Sequence, residues 1–138
     1  MKYLTSSKST FLLEAPLEVL HSESLEWLEE VEFWKDESAF FYALIIGKTK
    51  ENPVFETTEA KDIESHLVYL FAEKLDDFKM EVKGHEKFLA KLLESAKMNE
   101  QLYRTRHQTI SEKMHNFEKE FKEMKKKIFL LAKKAAIK

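Results

Sequence analysis

The stretch Tyr103–Ala135, YRTRHQTISEKMHNFEKEFKEMKKKIFLLAKKA, decides the fold. Within it Tyr103, His107, Ile110, Met114, Phe117, Phe121, Met124, Ile128, Leu131 and Ala135 step by four and three without a miss. A half-buried strand alternates with period two. This spacing instead puts every apolar side chain on one stripe of an α-helix, the heptad seam of a bundle or coiled coil. A seam of that length cannot face water, so the rest of the chain must supply partners for it.

Upstream, the same rhythm predicts a helix over 58–98, with Ile63, Leu67, Phe71, Leu75, Phe78, Val82, Leu89, Leu92 and Ala96 on one stripe and His85 in line with them. Gly84 interrupts it and costs about 1 kcal/mol against Ala in a helix. Because the apolar phase is unbroken across it, the expectation is one continuous helix, the alternative being a break there. Thr57 or Thr58 can cap its start. The first helix is expected over 16–46, opened by Pro16 and stopped by Gly47. It carries two adjacent stripes, Leu17, Leu20, Ser24, Leu28, Val31 and Trp27, Trp34, Phe41, Leu44. Its end, Ala39 to Ile46, is apolar all round, which predicts the deepest burial.

The fold class expected is therefore all-α, an antiparallel up-and-down bundle of three long helices (four if the second breaks at Gly84). It forms a single domain over 1–138, with an N-terminal segment 1–15 and helices near 16–46, 58–98 and 102–136. Composition agrees. The 138 residues are 43% hydrophobic and 35% charged with only two Gly and two Pro, too few turn residues for a sheet protein. Hairpin reversals at Gly47–Thr57 and Asn99–Gln101 pair positions whose numbers add to about 105 and about 200, which brings 39–46, 67–71 and 128–132 toward one end. Helix 1 is acidic and the last helix basic, and in this topology they lie side by side.

Several classes of function are excluded. No Cys is present, so there is no disulfide, thiolate metal site or cysteine nucleophile. With two glycines no Gly-rich phosphate loop exists, and Walker, Rossmann, His-Glu-x-x-His and Ca-loop patterns are absent. The N-terminus lacks the apolar core of a signal peptide, and no apolar run is long enough to span a bilayer. These features suggest a cytoplasmic protein. A net charge of -2 gives no general pull toward nucleic acid, and the lysine cluster Lys125, Lys126, Lys127, Lys133 and Lys134 comes without a helix-turn-helix or stacking platform.

The histidines are candidate metal ligands. Glu18/His21 and Glu112/His115 have Glu-x-x-His spacing, and the pairing rule puts His21, His85 and His115 at one height on three helices, a candidate Zn or Fe site. As seam residues, His85 and His107 have an ordinary structural role instead. The crowded carboxylates of helix 1 read as a solvated face, so no catalytic residue and no cofactor are expected. Helix 1 is shorter than the hairpin and leaves the tip, 89–113, to be covered by Phe11, Leu12 and Leu13 or by another copy. Interface residues are then expected at Leu89, Leu92, Tyr103 and Ile110, with Trp27 and Trp34 as aromatic anchors. The run Leu20-His21-Ser22-Glu23-Ser24-Leu25-Glu26-Trp27-Leu28-Glu29-Glu30-Val31-Glu32-Phe33-Trp34-Lys35-Asp36-Glu37 resembles the first helix of small bacterial helical proteins and implies no activity. The leading functional expectation is a non-enzymatic bundle acting through protein–protein contacts, self-associating as a homodimer; the alternative is a metal-binding bundle with a storage, sensing or redox role.

Overall fold

A computed structural model describes residues 15–94 and 100–136. The chain is all-α, and no strand occurs among the described residues. Helix α1 spans Leu17–Lys48. A short 3-10 turn, Pro53–Glu56, leads to α2, Thr58–Tyr69. A π-helical turn, Leu70–Lys74, joins α2 to α3, Leu75–Glu94, without interruption, and α4 spans Glu100–Ala136. The expected three long helical runs are present. Gly84 lies inside α3 and does not break it. The expected segment 1–15, apart from Ala15, and the reversal around Asn99 fall outside the described residues.

Two helix ends differ in detail. Gly47 was expected to stop α1 as a left-handed cap, but α1 runs through it to Lys48, and neither glycine has a positive φ. The chain turns instead over Thr49–Glu51, where the Glu51 and Asn52 amides bond to the Lys48 carbonyl. Thr57 caps α2 as expected, its hydroxyl accepting from the Ala60 amide at 3.2 Å.

The chain divides into two compact units, one of Met1–Glu30 with Lys79–Asn116, the other of Val31–Phe78 with Phe117–Lys138. In the first, α1 runs parallel to α4, with Ala15 beside Arg104 and Glu23 beside His107. There α3 and α4 run antiparallel, through Glu81–Lys113 and His85–His107. Its apolar centre is Ala15, Leu20, Leu89, Leu92 and Tyr103, with Leu17 and Phe88 packed against it. In the second unit Trp34 meets Phe117 and Phe121, and Phe78 meets Phe117 with ring centroids 4.8 Å apart. There Lys125 reaches Glu37 across α1 and α4 at 3.2 Å, and Lys134 reaches Glu59 at 2.9 Å. Acidic α1 and basic α4 thus neutralise each other in part, as their charge pattern suggested.

The α4 seam is buried from Tyr103 to Leu131, with Met114 and Ala135 only partly covered. The second helix departs from the expected stripe at one step. Leu70 is buried and Phe71 is not, because the π turn inserts a residue: the Leu75 amide bonds to the Leu70 carbonyl. A five-residue step would rotate Leu75 off the stripe in a regular α-helix, and the wider turn restores the phase. Phe71 instead packs at the edge against Tyr42.

Two expectations about burial are overturned. The all-apolar end of α1 is not the most buried part of the chain. Only Ile45 is fully covered there, while Phe40, Leu44 and Ile46 are exposed. A helix flanked by two others covers only part of its circumference, so a segment apolar all round leaves one side in water. Conversely, Trp27, Trp34, Leu89, Leu92, Tyr103 and Ile110, expected at an interface, are all buried within the chain itself. The start of α1 reaches further along the hairpin than its length suggested, and Ala15, Leu17 and Leu20 cover Leu89, Leu92 and Tyr103.

Candidate functional site

The metal triad inferred from helix heights does not assemble. His85 bonds to His107, His21 pairs with Glu86, and His115 lies exposed on α4. Among the described residues no group of three or more His, Asp or Glu side chains is arranged to hold a metal ion. What the first unit holds instead is a row of three bonded side chains. Glu23 Oε1 lies 2.8 Å from His107 Nε2, and His107 Nδ1 lies 2.9 Å from His85 Nε2.

Local sequence explains why these groups meet. His85 and His107 occupy seam positions on α3 and α4, so both rings point inward. Glu23 lies one turn before Trp27 on α1, and Trp27 stacks on His107 with centroids 4.5 Å apart. Tyr103, one turn before His107, lies flat on His85 at 4.3 Å with an interplanar angle of 1°. One aromatic plane stacked on each ring helps to fix its orientation.

Bond polarity follows from the end of the row. The Glu23 carboxylate only accepts, so His107 Nε2 carries the proton and donates to it. In a neutral His107 ring Nδ1 is then the acceptor, and His85 Nε2–H donates to it. The remaining nitrogen, His85 Nδ1, is a bare acceptor, fully buried and without a hydrogen-bond partner. Burial, with lesser contributions from the His107 ring and the Arg106 charge, pushes the pKa of His85 down to about 4. The ring is therefore neutral at physiological pH. Burial, reinforced by Glu86, raises the Tyr103 phenol above its usual range. The Ser24 hydroxyl lies close enough to oppose that rise, yet neither oxygen completes a hydrogen bond of good geometry.

His85 also lines an open cleft of about 430 Å³ whose other walls are Glu81, Gly84, Thr105, Arg106, Thr109 and Ile110. Arg106 is stationed over the Phe88 ring at 4.5 Å, and Glu81 is held by Lys113 at 2.9 Å. Heptad position alone makes His107 a structural seam residue and gives no sign of Glu23. A signal for the histidine pair existed: His85 and His107 lie on facing seams at equal distances from residue 96, so a reversal slightly earlier than expected brings them together.

The second unit holds a different polar cluster, in which Glu120 accepts from His66 at 2.7 Å and from Lys74 at 2.9 Å. Burial raises the Glu120 pKa, but the bonds and charges of His66 and Lys74 outweigh it and leave the carboxyl below its ordinary value. Every member of this cluster has a partner, so it reads as a structural tie between α2, its π turn and α4.

The second unit also carries a group of exposed aromatic side chains. Phe33, Phe40 and Leu44 on α1 and Phe129 on α4 are 58%, 61%, 45% and 60% exposed. Phe33, Phe40 and Leu44 lie on the same flank of α1 as Glu37, and Phe129 lies one turn beyond Lys125 on the flank of α4 that faces α1. The stagger that sets Trp34 against Phe121 and Glu37 against Lys125 places Phe129 between Phe40 and Leu44. On that stagger the four side chains fall along one α1–α4 groove, on either side of the Glu37–Lys125 ion pair. Among the described residues no helix is long and apolar enough to cross a membrane. Comparison of the chain with protein-family models, with curated proteins and with solved structures finds no match.

Proposed function

We propose that this protein works through protein–protein contact, and that its partner on the Phe33–Phe40–Leu44–Phe129 patch is a second copy of the chain. The observation that carries this reading is the patch itself. Large aromatic side chains that stand more than half in water, gathered in one groove, are a typical mark of an interface. Taking about 200 Å² for a free aromatic residue, the patch offers roughly 400 Å² of apolar surface, enough for the centre of a standard interface with a polar rim around it.

The charges at its borders favour a like partner. Asp36 lies beyond the patch on α1, and Lys122, Lys126 and Lys133 lie beyond it on α4. A two-fold axis through the groove turns the acidic border of one copy onto the basic border of the other. A surface with opposite charges on its two sides is thus complementary to itself, as an isologous interface requires.

The test is the mass in solution of the wild type and of the double variant Phe40→Glu, Phe129→Glu. The wild type is expected to have a dimer mass at micromolar concentration by light scattering, weakened by salt at the rim. Each buried phenylalanine contributes about 3 kcal/mol on area alone, so the double variant should be monomeric while its circular dichroism and melting temperature are retained. A wild type that stays monomeric at hundreds of micromolar would sink the proposal, as would a double variant that dimerises as well as the parent.

A further inference from the structure

We infer that the cleft between α3 and α4 is a binding site for a small planar aromatic carboxylate, its ring laid against Gly84 and its carboxylate paired with Arg106. Two independent features of the cleft carry this. The first is Gly84. It lies inside α3, and its backbone is not in the left-handed region that would call for a glycine. A glycine in a helix costs about 1 kcal/mol against Ala. Packing does not require it either, because a Cβ at Gly84 would have no atom within 4 Å. Nothing in the fold uses the missing side chain, yet Gly84 lines a cleft of about 430 Å³, a volume typical of small-molecule sites. Bare backbone beside a cleft lets a flat ring approach closely.

The second feature is Arg106, which lines the same cleft. Its guanidinium lies over the Phe88 ring at 4.5 Å, and no carboxylate among the described residues pairs with it. A guanidinium takes a carboxylate through two parallel N–H donors. The Glu81 carboxylate also walls the cleft, but both its oxygens are held by Lys113 Nζ, at 3.1 and 2.9 Å. The antiparallel pairs His85–His107 and Glu81–Lys113 set Arg106 level with about residue 87, some six residues beyond Glu81 and thus about 9 Å further along α3. The neutralised acid and the unpaired guanidinium therefore stand at opposite ends, and an anion is drawn to the Arg106 end. Between them lie Gly84, Thr109 and Ile110. The Thr109 hydroxyl donates to the Thr105 carbonyl of its own helix at 3.2 Å, so its proton is already spent. That middle stretch suits an apolar ring.

The probe pair is 2-naphthoate and 2-naphthalenemethanol, alike in shape but only the first charged at neutral pH. NMR signals of the Gly84 and Thr109 amides and of the His85 ring report on the cleft. 2-Naphthoate should shift them saturably at submillimolar concentration. The neutral alcohol on the wild type, and 2-naphthoate on Arg106→Gln, should each bind about tenfold more weakly or worse, the scale of a lost hydrogen bond between charged groups. Gly84→Leu places a side chain in the open space. It should abolish the shifts at Thr109 and His85 while circular dichroism and melting temperature are kept or raised. The inference is overturned if millimolar 2-naphthoate gives the wild type no saturable shift, or if the alcohol binds as well as the acid. It is equally overturned if Arg106→Gln or Gly84→Leu binds 2-naphthoate as tightly as the wild type, or if the only shifts lie around Phe40 and Phe129.

Discussion

Replacing His85 by glutamine should flatten the acid limb of the protein's stability curve. In His85→Gln the introduced side-chain amide is placed to donate to His107 Nδ1 much as the imidazole Nε2–H does. Packing and the bond to His107 are thus largely kept while the titrating group is removed. The native ring titrates near pH 4, against an ordinary value of 6.5. A base whose pKa is depressed on folding binds fewer protons in the native state than in the unfolded chain. Its contribution is therefore complete above pH 6.5, shrinks as pH falls, and is gone below about 4. The full span amounts to about 3 kcal/mol, of which about 2 kcal/mol is lost by pH 5. Urea unfolding at pH 7.5 and pH 5, followed by circular dichroism, measures it. With a slope typical of a chain this size, the wild type should lose about 1 M in midpoint more than the variant. His107 and every carboxylate are common to both proteins, so the difference isolates His85. Equal losses in the two proteins would mean that the ring is not held neutral by burial, and the bond polarity assigned to the Glu23–His107–His85 row would fall with it.

Other substitutions test the fold. Gly84 has open space where a Cβ would stand and lies inside α3, so Gly84→Ala should raise stability by about 1 kcal/mol in thermal or urea unfolding. Leu70→Ala should cost about 3 kcal/mol and Phe71→Ala distinctly less, because the π turn buries the first and leaves the second half-covered. The opposite ranking, read from the same unfolding curves, would argue for a regular α-helix through Leu70–Lys74.

What could be read from the sequence depended on whether a local pattern alone fixed the outcome. The α4 seam did: ten positions with helical spacing and polar residues between them leave one orientation, and burial follows it closely. Thr57 was legible for the same reason, since a side-chain oxygen before a helix start has a local job. The π turn was not, because Leu70 and Phe71 are both apolar and either keeps a plausible phase. Nor was the meeting of His85 with His107. Four residues' error in the position of the reversal moves a partner by eight, and the pairing rule matches His85 with His115 instead. Hydrophobicity misleads at Ala39–Ile46, where an apolar composition does not translate into burial. Composition says how much surface a segment would hide, and only the neighbours decide how much is hidden.

Two of the places where local preference and fold disagree are informative. Much of the chain is self-consistent: apolar stripes are covered, Thr57 caps α2, and Lys113, Lys125 and Lys134 face carboxylates. Such agreement is what makes a sequence specify one structure, and departures from it tend to mark function. In the first unit the departure is a polar one, a buried ring nitrogen with no donor on a histidine stacked against Tyr103. In the second it is apolar, with Phe33, Phe40 and Phe129 standing more than half in water. Neither is needed to fold a helical unit. A leucine in place of His85 and polar residues in place of Phe33, Phe40 and Phe129 would serve folding better, removing an unmet acceptor from one unit and a sticky groove from the other. The groove is the departure that an outside surface can relieve, and the proposed second copy, with its reversed rim charges, is the partner that suits it.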